Sequence, residues 1–180
     1  MKQTATVANS ADARFKKLAA SIEALAQKDE LAEARAHQIA ATRNAAGAEL
    51  YAICAEFVSG LNRLLACPEM IIDPAEAGPA RLPGRSHSLI QISVRGRILQ
   101  IEYDETPELV STEEFRVPYT LAGSVRAFNQ ELLEKDLIEE QLIFFTLEKH
   151  RRMWRFFDPR TYRSGPLDRE YLVSLMEQLI

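Results

Sequence analysis

Residues 149–163 read KHRRMWRFFDPRTYR, with five arginines, one lysine and four aromatic rings in fifteen positions. Guanidinium groups bind phosphate or carboxylate oxygens in a two-pronged geometry, and exposed rings beside a basic groove stack on the bases of single strands. The chemistry on offer is anion binding at Lys149, Arg151, Arg152, Arg155, Arg160 and Arg163, with a phosphate backbone or an acidic protein as ligand. Strand register decides how many of the rings remain available. With a turn at His150-Arg151, Leu147 faces Trp154 and Phe145 faces Phe156, so that Ile143, Phe145, Leu147, Trp154 and Phe156 form one apolar face. Trp154 and Phe156 are then core residues rather than stacking platforms. Arg155 shares the other face with Phe144, Thr146, Glu148 and Phe157, which reads as a mixed solvent or interaction face. A basic hairpin tip and the loop beyond it remain. The plainer reading is a solvated turn whose charges answer Glu102, Asp104, Glu105, Glu108, Glu113 and Glu114, since charged side chains are exposed by default.

The rest of the chain offers little catalytic chemistry. His37, His87 and His150 lack a serine, cysteine or carboxylate at a recognisable motif spacing, and no phosphate-binding loop, GxGxxG or HExxH occurs. Cys54 and Cys67 stand thirteen residues apart without a CxxC pair, so buried reduced thiols are expected instead of a disulfide framework or a zinc site. No metal, cofactor or catalytic residue is expected.

The net charge of −4 is unevenly spread. Residues 1–72 carry eight basic and eight acidic side chains, residues 73–140 seven and thirteen, and residues 141–180 seven and five. The last segment, at +2, is far less basic than a dedicated nucleic-acid domain. The opening residues lack the apolar run of a secretory signal and no window is apolar enough for a membrane span. A cytoplasmic protein with no membrane partner is expected.

Long elements must position these groups. From Asp12 to about Ala66 there is no proline, two glycines and a helix-favouring composition. Apolar positions alternate by threes and fours through Phe15, Leu18, Ile22, Leu25, Asp29, Ala32, Ala36, Ile39, Arg43, Ala46, Leu50, Ile53, Phe57, Gly60 and Leu64, the 3.5-residue period of a coiled-coil seam. Asp29 and Arg43 interrupt the seam two heptads apart. An antiparallel pair centred near Ala36 sets one opposite the other, whereas a parallel pair sets each against its own copy. Small residues at 19, 26 and 40 also suit close antiparallel approach. The self-association seam is therefore expected at Phe15, Leu18, Ile22, Leu25, Asp29, Ala32, Ala36, Ile39 and Arg43. A helix folded back on itself near 27–30 or 44–47 uses the same positions. From Leu50 onward, with Cys54, Val58, Leu61 and Leu65 added, the stripe widens and is expected to pack on its own domain.

Residues 68–87 hold four prolines and two glycines and read as a linker unable to sustain a sheet ladder. Two alternating runs follow around Arg95-Gly96, with Val94 facing Arg97, Ile92 facing Leu99 and Ile90 facing Ile101. Phe115, Val117 and Tyr119 suggest a third strand, limited by Pro118. Leu121, Val125, Phe128 and Leu132 are at helical spacing, two more strands follow, and Leu167, Tyr171, Leu172, Leu175, Met176 and Leu179 mark a closing helix with Pro166 at its first position.

The expected fold class is α+β, with a long coiled-coil-type helix (1–67), a linker (68–87) and a domain (88–180) built as a five-stranded antiparallel sheet carrying helices, in the order α-βββ-α-ββ-α. The expected function is non-enzymatic protein binding or assembly, with a second copy or another protein as partner. The element order is similar to that of small secretion chaperones, which implies a binder of an extended partner segment as the alternative. Nucleic-acid binding through 149–163 is a second alternative.

Overall fold

A computed structural model of the chain describes residues 4–67, 69–76, 80–81, 88–113, 115–135, 138–148 and 151–180. One helix, α1, runs from Thr4 to Asn62. Its continuity excludes a chain folded back near 27–30 or 44–47. Two compact units share it, Met1–Thr42 and Arg43–Ile180.

The second unit is α+β. The strands are β1 (Ile71–Asp73), β2 (Ala80–Arg81), β3 (Ser88–Val94), β4 (Arg97–Val110), β5 (Tyr119–Phe128), β6 (Glu139–Glu148), β7 (Arg151–Asp158) and β8 (Arg163–Pro166). The short helices are α2 (Gln130–Glu134) and α3 (Arg169–Glu177). All eight strands form one sheet in the order β1-β3-β4-β5-β6-β7-β8, with β2 also on β3, and every pairing is antiparallel. Five strands were expected, the third over Phe115, Val117 and Tyr119, of which only Tyr119 lies in a strand, at the start of β5. The three additional ones, β1, β2 and β8, are two to four residues long, too short for a period to register. β1 and β2 fall between the prolines of the supposed linker and pair on one side only, as edge strands permit.

The first hairpin has the expected register, with Val94 opposite Arg97, Ile92 opposite Leu99 and Ile90 opposite Ile101. Arg95 (φ 46°) and Gly96 (φ 77°) are both left-handed, the requirement of a type I′ two-residue turn. Residues 121–128, expected to be helical, instead belong to β5. Leu121 and Val125 are four apart, an interval shared by both periods, and the inward positions between and beyond them hold Gly123 and Ala127. Gly123 admits no side chain, because a Cβ there would lie 1.9 Å from the Glu102 carbonyl oxygen. Only Gln130–Glu134 is helical, capped by the Asn129 carboxamide oxygen accepting from the Leu132 N–H.

Helix α3 begins after Asp168, whose carboxylate accepts from the Tyr171 N–H at 3.0 Å. Pro166 ends β8 and is not the first helical residue. All six residues expected on the inner face of α3, from Leu167 to Leu179, are buried. They join Ala46, Leu50, Cys54, Phe57 and Val58 of α1 against Ile90, Ile92, Leu99, Ile101, Leu121, Val125, Ile143, Phe145 and Trp154 of the sheet. Leu64, expected on this face, is 78% exposed because the helix ends at Asn62. The Asn62 side chain accepts from Glu69 and Met70 N–H groups and donates to the Met70 carbonyl, fixing the turn into β1.

Candidate interaction surfaces

The β6–β7 hairpin carries the basic stretch. Its register sets Phe145 opposite Trp154, Ile143 opposite Phe156 and Leu147 opposite Arg152. This is two residues from the expected pairing, so the assignment of residues to faces is unchanged. The inner face is the one expected. Trp154 is 1% exposed, donates its indole N–H to the Ala46 carbonyl at 2.8 Å, and meets Tyr103 edge-on at 5.2 Å. Phe156 stacks on Tyr171 with centroids 4.4 Å apart.

The outer face differs from expectation. Phe144 and Phe157 are buried there with Phe115 and Tyr119 in a second small core, and Phe115 stacks on Phe144 at 4.4 Å. The chain between β4 and β5 supplies the cover: the Thr112 hydroxyl accepts from the Phe115 N–H and the Thr112 N–H donates to the Phe115 carbonyl. Three of the four rings in residues 149–163 are therefore packed. Tyr162 alone is exposed, at 69%.

The basic residues are not gathered into one patch. Lys149 and His150 lie outside the described residues. Arg151 and Arg152 are exposed at the start of β7 and point to opposite faces. Arg155, on the outer face, pairs with Glu148 at 3.4 Å. Arg160 and Arg163 flank the β7–β8 turn, about 23 Å from Arg151 at the strand rise of roughly 3.3 Å per residue. Arg160 Nε lies 3.6 Å from an Asp158 oxygen. The Thr161 hydroxyl, then the Arg160 N–H, hold the Asp158 carboxyl below its usual range. Two of the six acidic residues expected to answer the tip are engaged elsewhere, Glu105 with Arg43 and Glu102 with Arg126, which also binds Glu140; Glu108 and Glu114 lie outside the described side chains.

Between this turn and α3, Phe156, Asp158, Arg163, Tyr171 and Ser174 line a cavity of about 100 Å³, room for a few water molecules. The Tyr171 hydroxyl donates to Gln141 Oε1 at 2.8 Å. Burial, then the Asp158 carboxylate, push its ionisation upward. Among the described residues, no group of three or more His, Cys, Asp or Glu is placed to hold a metal ion. No described helix is long and apolar enough to cross a membrane. Cys54 is buried and Cys67 exposed.

Among the described residues, a row of exposed apolar side chains lies on α1. Every residue from Asp12 to Ala41 is exposed, including Phe15 (73%), Leu18 (56%), Ile22 (58%), Leu25 (57%) and Ile39 (41%) of the expected seam. Asp29, Ala32 and Ala36 share that exposure. Leu31 is also exposed, off the seam. Arg43 is different. Its Nε donates to Thr120 Oγ1 and its Nη1 to Glu105 Oε2, both at 2.9 Å, and Nη2 donates to the Thr106 carbonyl. With only 13% of its side chain exposed, it is a docking residue of the domain. Its partners are 62 to 77 positions away in sequence, beyond the reach of heptad reasoning.

No known protein family, curated protein or solved structure matches this chain.

Proposed function

We propose that the chain is a non-enzymatic cytoplasmic assembly protein that self-associates through the apolar row of α1 between Phe15 and Ile39. The observation that carries this reading is the contrast within one helix. Leu50, Cys54, Phe57 and Val58 are buried, whereas Phe15, Leu18, Ile22 and Leu25 remain more than half exposed at strict seam spacing. Helices draw most of their stability from packing an apolar face, and a contiguous exposed apolar row is the mark of an interaction site. The heptad interval favours a second helix as the cover.

Placing charge in the row tests this. Ile22→Lys together with Leu25→Lys should convert the full chain from an oligomer to a monomer in sedimentation experiments, with the helical circular-dichroism signal of residues 12–42 reduced. Unchanged mass would contradict the proposal.

A further inference from the structure

Charge along the exposed part of α1 is polarised. Residues 12–28 carry Arg14, Lys16, Lys17 and Lys28 against Asp12 and Glu23, a net +2, while residues 29–42 carry Asp29, Glu30 and Glu33 against Arg35, a net −2. Size is polarised in the same direction: Phe15, Leu18, Ile22 and Leu25 fill the seam in the basic half, and Asp29, Ala32 and Ala36 thin it in the acidic half. Arg43 takes no part, since its guanidinium is held by Glu105, Thr120 and Thr106 of its own domain. A register that relies on an Asp29–Arg43 pair therefore loses its basis.

Resting on self-association through α1, we infer that two copies of this chain pair antiparallel with the midpoint at Gln27. Residues 12–28 of one copy then lie along residues 26–42 of the other, basic half against acidic half. The seam layers become Phe15 with Ile39, Leu18 with Ala36, Ile22 with Ala32 and Leu25 with Asp29, each made twice. In the two middle layers a large side chain meets a small one, which fills the space between helices evenly. Asp29 faces Leu25, with Lys28 of the facing helix about one turn away. Parallel pairing does the reverse. It leaves Asp29 against Asp29 and aligns like-charged halves, both unfavourable, and it sets alanine against alanine, which fills those layers poorly.

Engineered cysteines read the orientation. In full-length Cys67→Ser chains, Phe15→Cys and Ile39→Cys variants are oxidised separately and as a mixture, alongside mass measurement. A disulfide needs Cα atoms within about 7 Å, and in the antiparallel pair position 15 lies about 36 Å from its own copy, 24 residues at 1.5 Å each. The expected result is a cross-linked dimer from the mixture and none from either variant alone. A dimeric mass with each variant cross-linking to itself overturns the antiparallel pairing while leaving self-association intact. A dimeric mass with no cross-link in the mixture overturns the Gln27 midpoint. A monomeric mass overturns both readings.

Discussion

Leu18 and Leu50 stand on the same helix with the same side chain, so truncating each to alanine separates the roles of its two parts. Leu50 is fully buried beneath α3 and the sheet, and Leu50→Ala removes its packing and leaves a cavity, at a cost to the domain of about 2–5 kcal/mol. Leu18 keeps 56% of its surface exposed in the single chain. Three carbon groups lost at ~0.8 kcal/mol each amount to about 2.4 kcal/mol at full burial, of which about 1.3 kcal/mol remains for a partner helix to realise. Two copies double this to about 2.7 kcal/mol, close to a hundredfold in the dissociation constant. Trp154 is the single tryptophan and is 1% exposed, so its fluorescence in urea reports the domain. Leu50→Ala should move that transition to lower urea, and Leu18→Ala should leave it within about 0.5 kcal/mol. Sedimentation should give the opposite ranking, with association weakened about a hundredfold by Leu18→Ala and unaffected by Leu50→Ala at temperatures where the domain is folded. Equal shifts of the Trp154 transition, or equal effects on association, would contradict separate roles for the two parts of α1.

Other consequences are local. A Cβ at Gly47 would lie 2.7 Å from the Tyr103 hydroxyl oxygen, whereas one at Gly60 meets only an Arg169 nitrogen at 4.0 Å. Gly47→Ala should therefore lower stability by about 1–3 kcal/mol and Gly60→Ala should raise it by about 0.5–1 kcal/mol, both readable by urea titration. Burial pushes the Cys54 thiol up to about 12 while Cys67 is exposed, so a thiol reagent at pH 8 should modify one cysteine in the native chain and two in denaturant; two in the native chain would contradict the burial of Cys54. The Asp158 carboxyl is lowered on folding by the Thr161 hydroxyl and the Arg160 N–H. Its contribution is therefore complete above the unfolded aspartate value near ~4 and is lost as pH falls through the lower folded value. Asp158→Asn should flatten the loss of stability below about pH 4, and an identical acid limb in both proteins would count against this.

The first hairpin and the inner face of α3 were legible from period: Ile90, Ile92, Leu99 and Ile101 alternate around a glycine-containing turn, and Leu167, Tyr171, Leu172, Leu175, Met176 and Leu179 recur at helical spacing, whereas the start of α3 was misplaced at Pro166 when Asp168 caps it. The face assignment of Trp154 and Phe156 was legible for a different reason, since a two-residue slip in register preserves the parity of every position. β5 was not, because an interval of four belongs to helix and strand alike and its remaining inward positions are glycine and alanine. The cover over Phe144 and Phe157 was hidden as well. It depends on Phe115, which reaches them through a turn held by Thr112 and not through any periodic element. Arg43 shows the same limit in the candidate site: its place in the heptad pattern gave it a seam role, while the groups that hold its guanidinium come from strands far along the chain.

The mass of the full-length chain in solution, measured by sedimentation equilibrium across the micromolar range, bears most directly on assembly through α1. The expected mass approaches twice the 20.3 kDa of one chain, falling toward a single chain when Ile22 and Leu25 are replaced by lysine. A mass of 20.3 kDa at every concentration would contradict it.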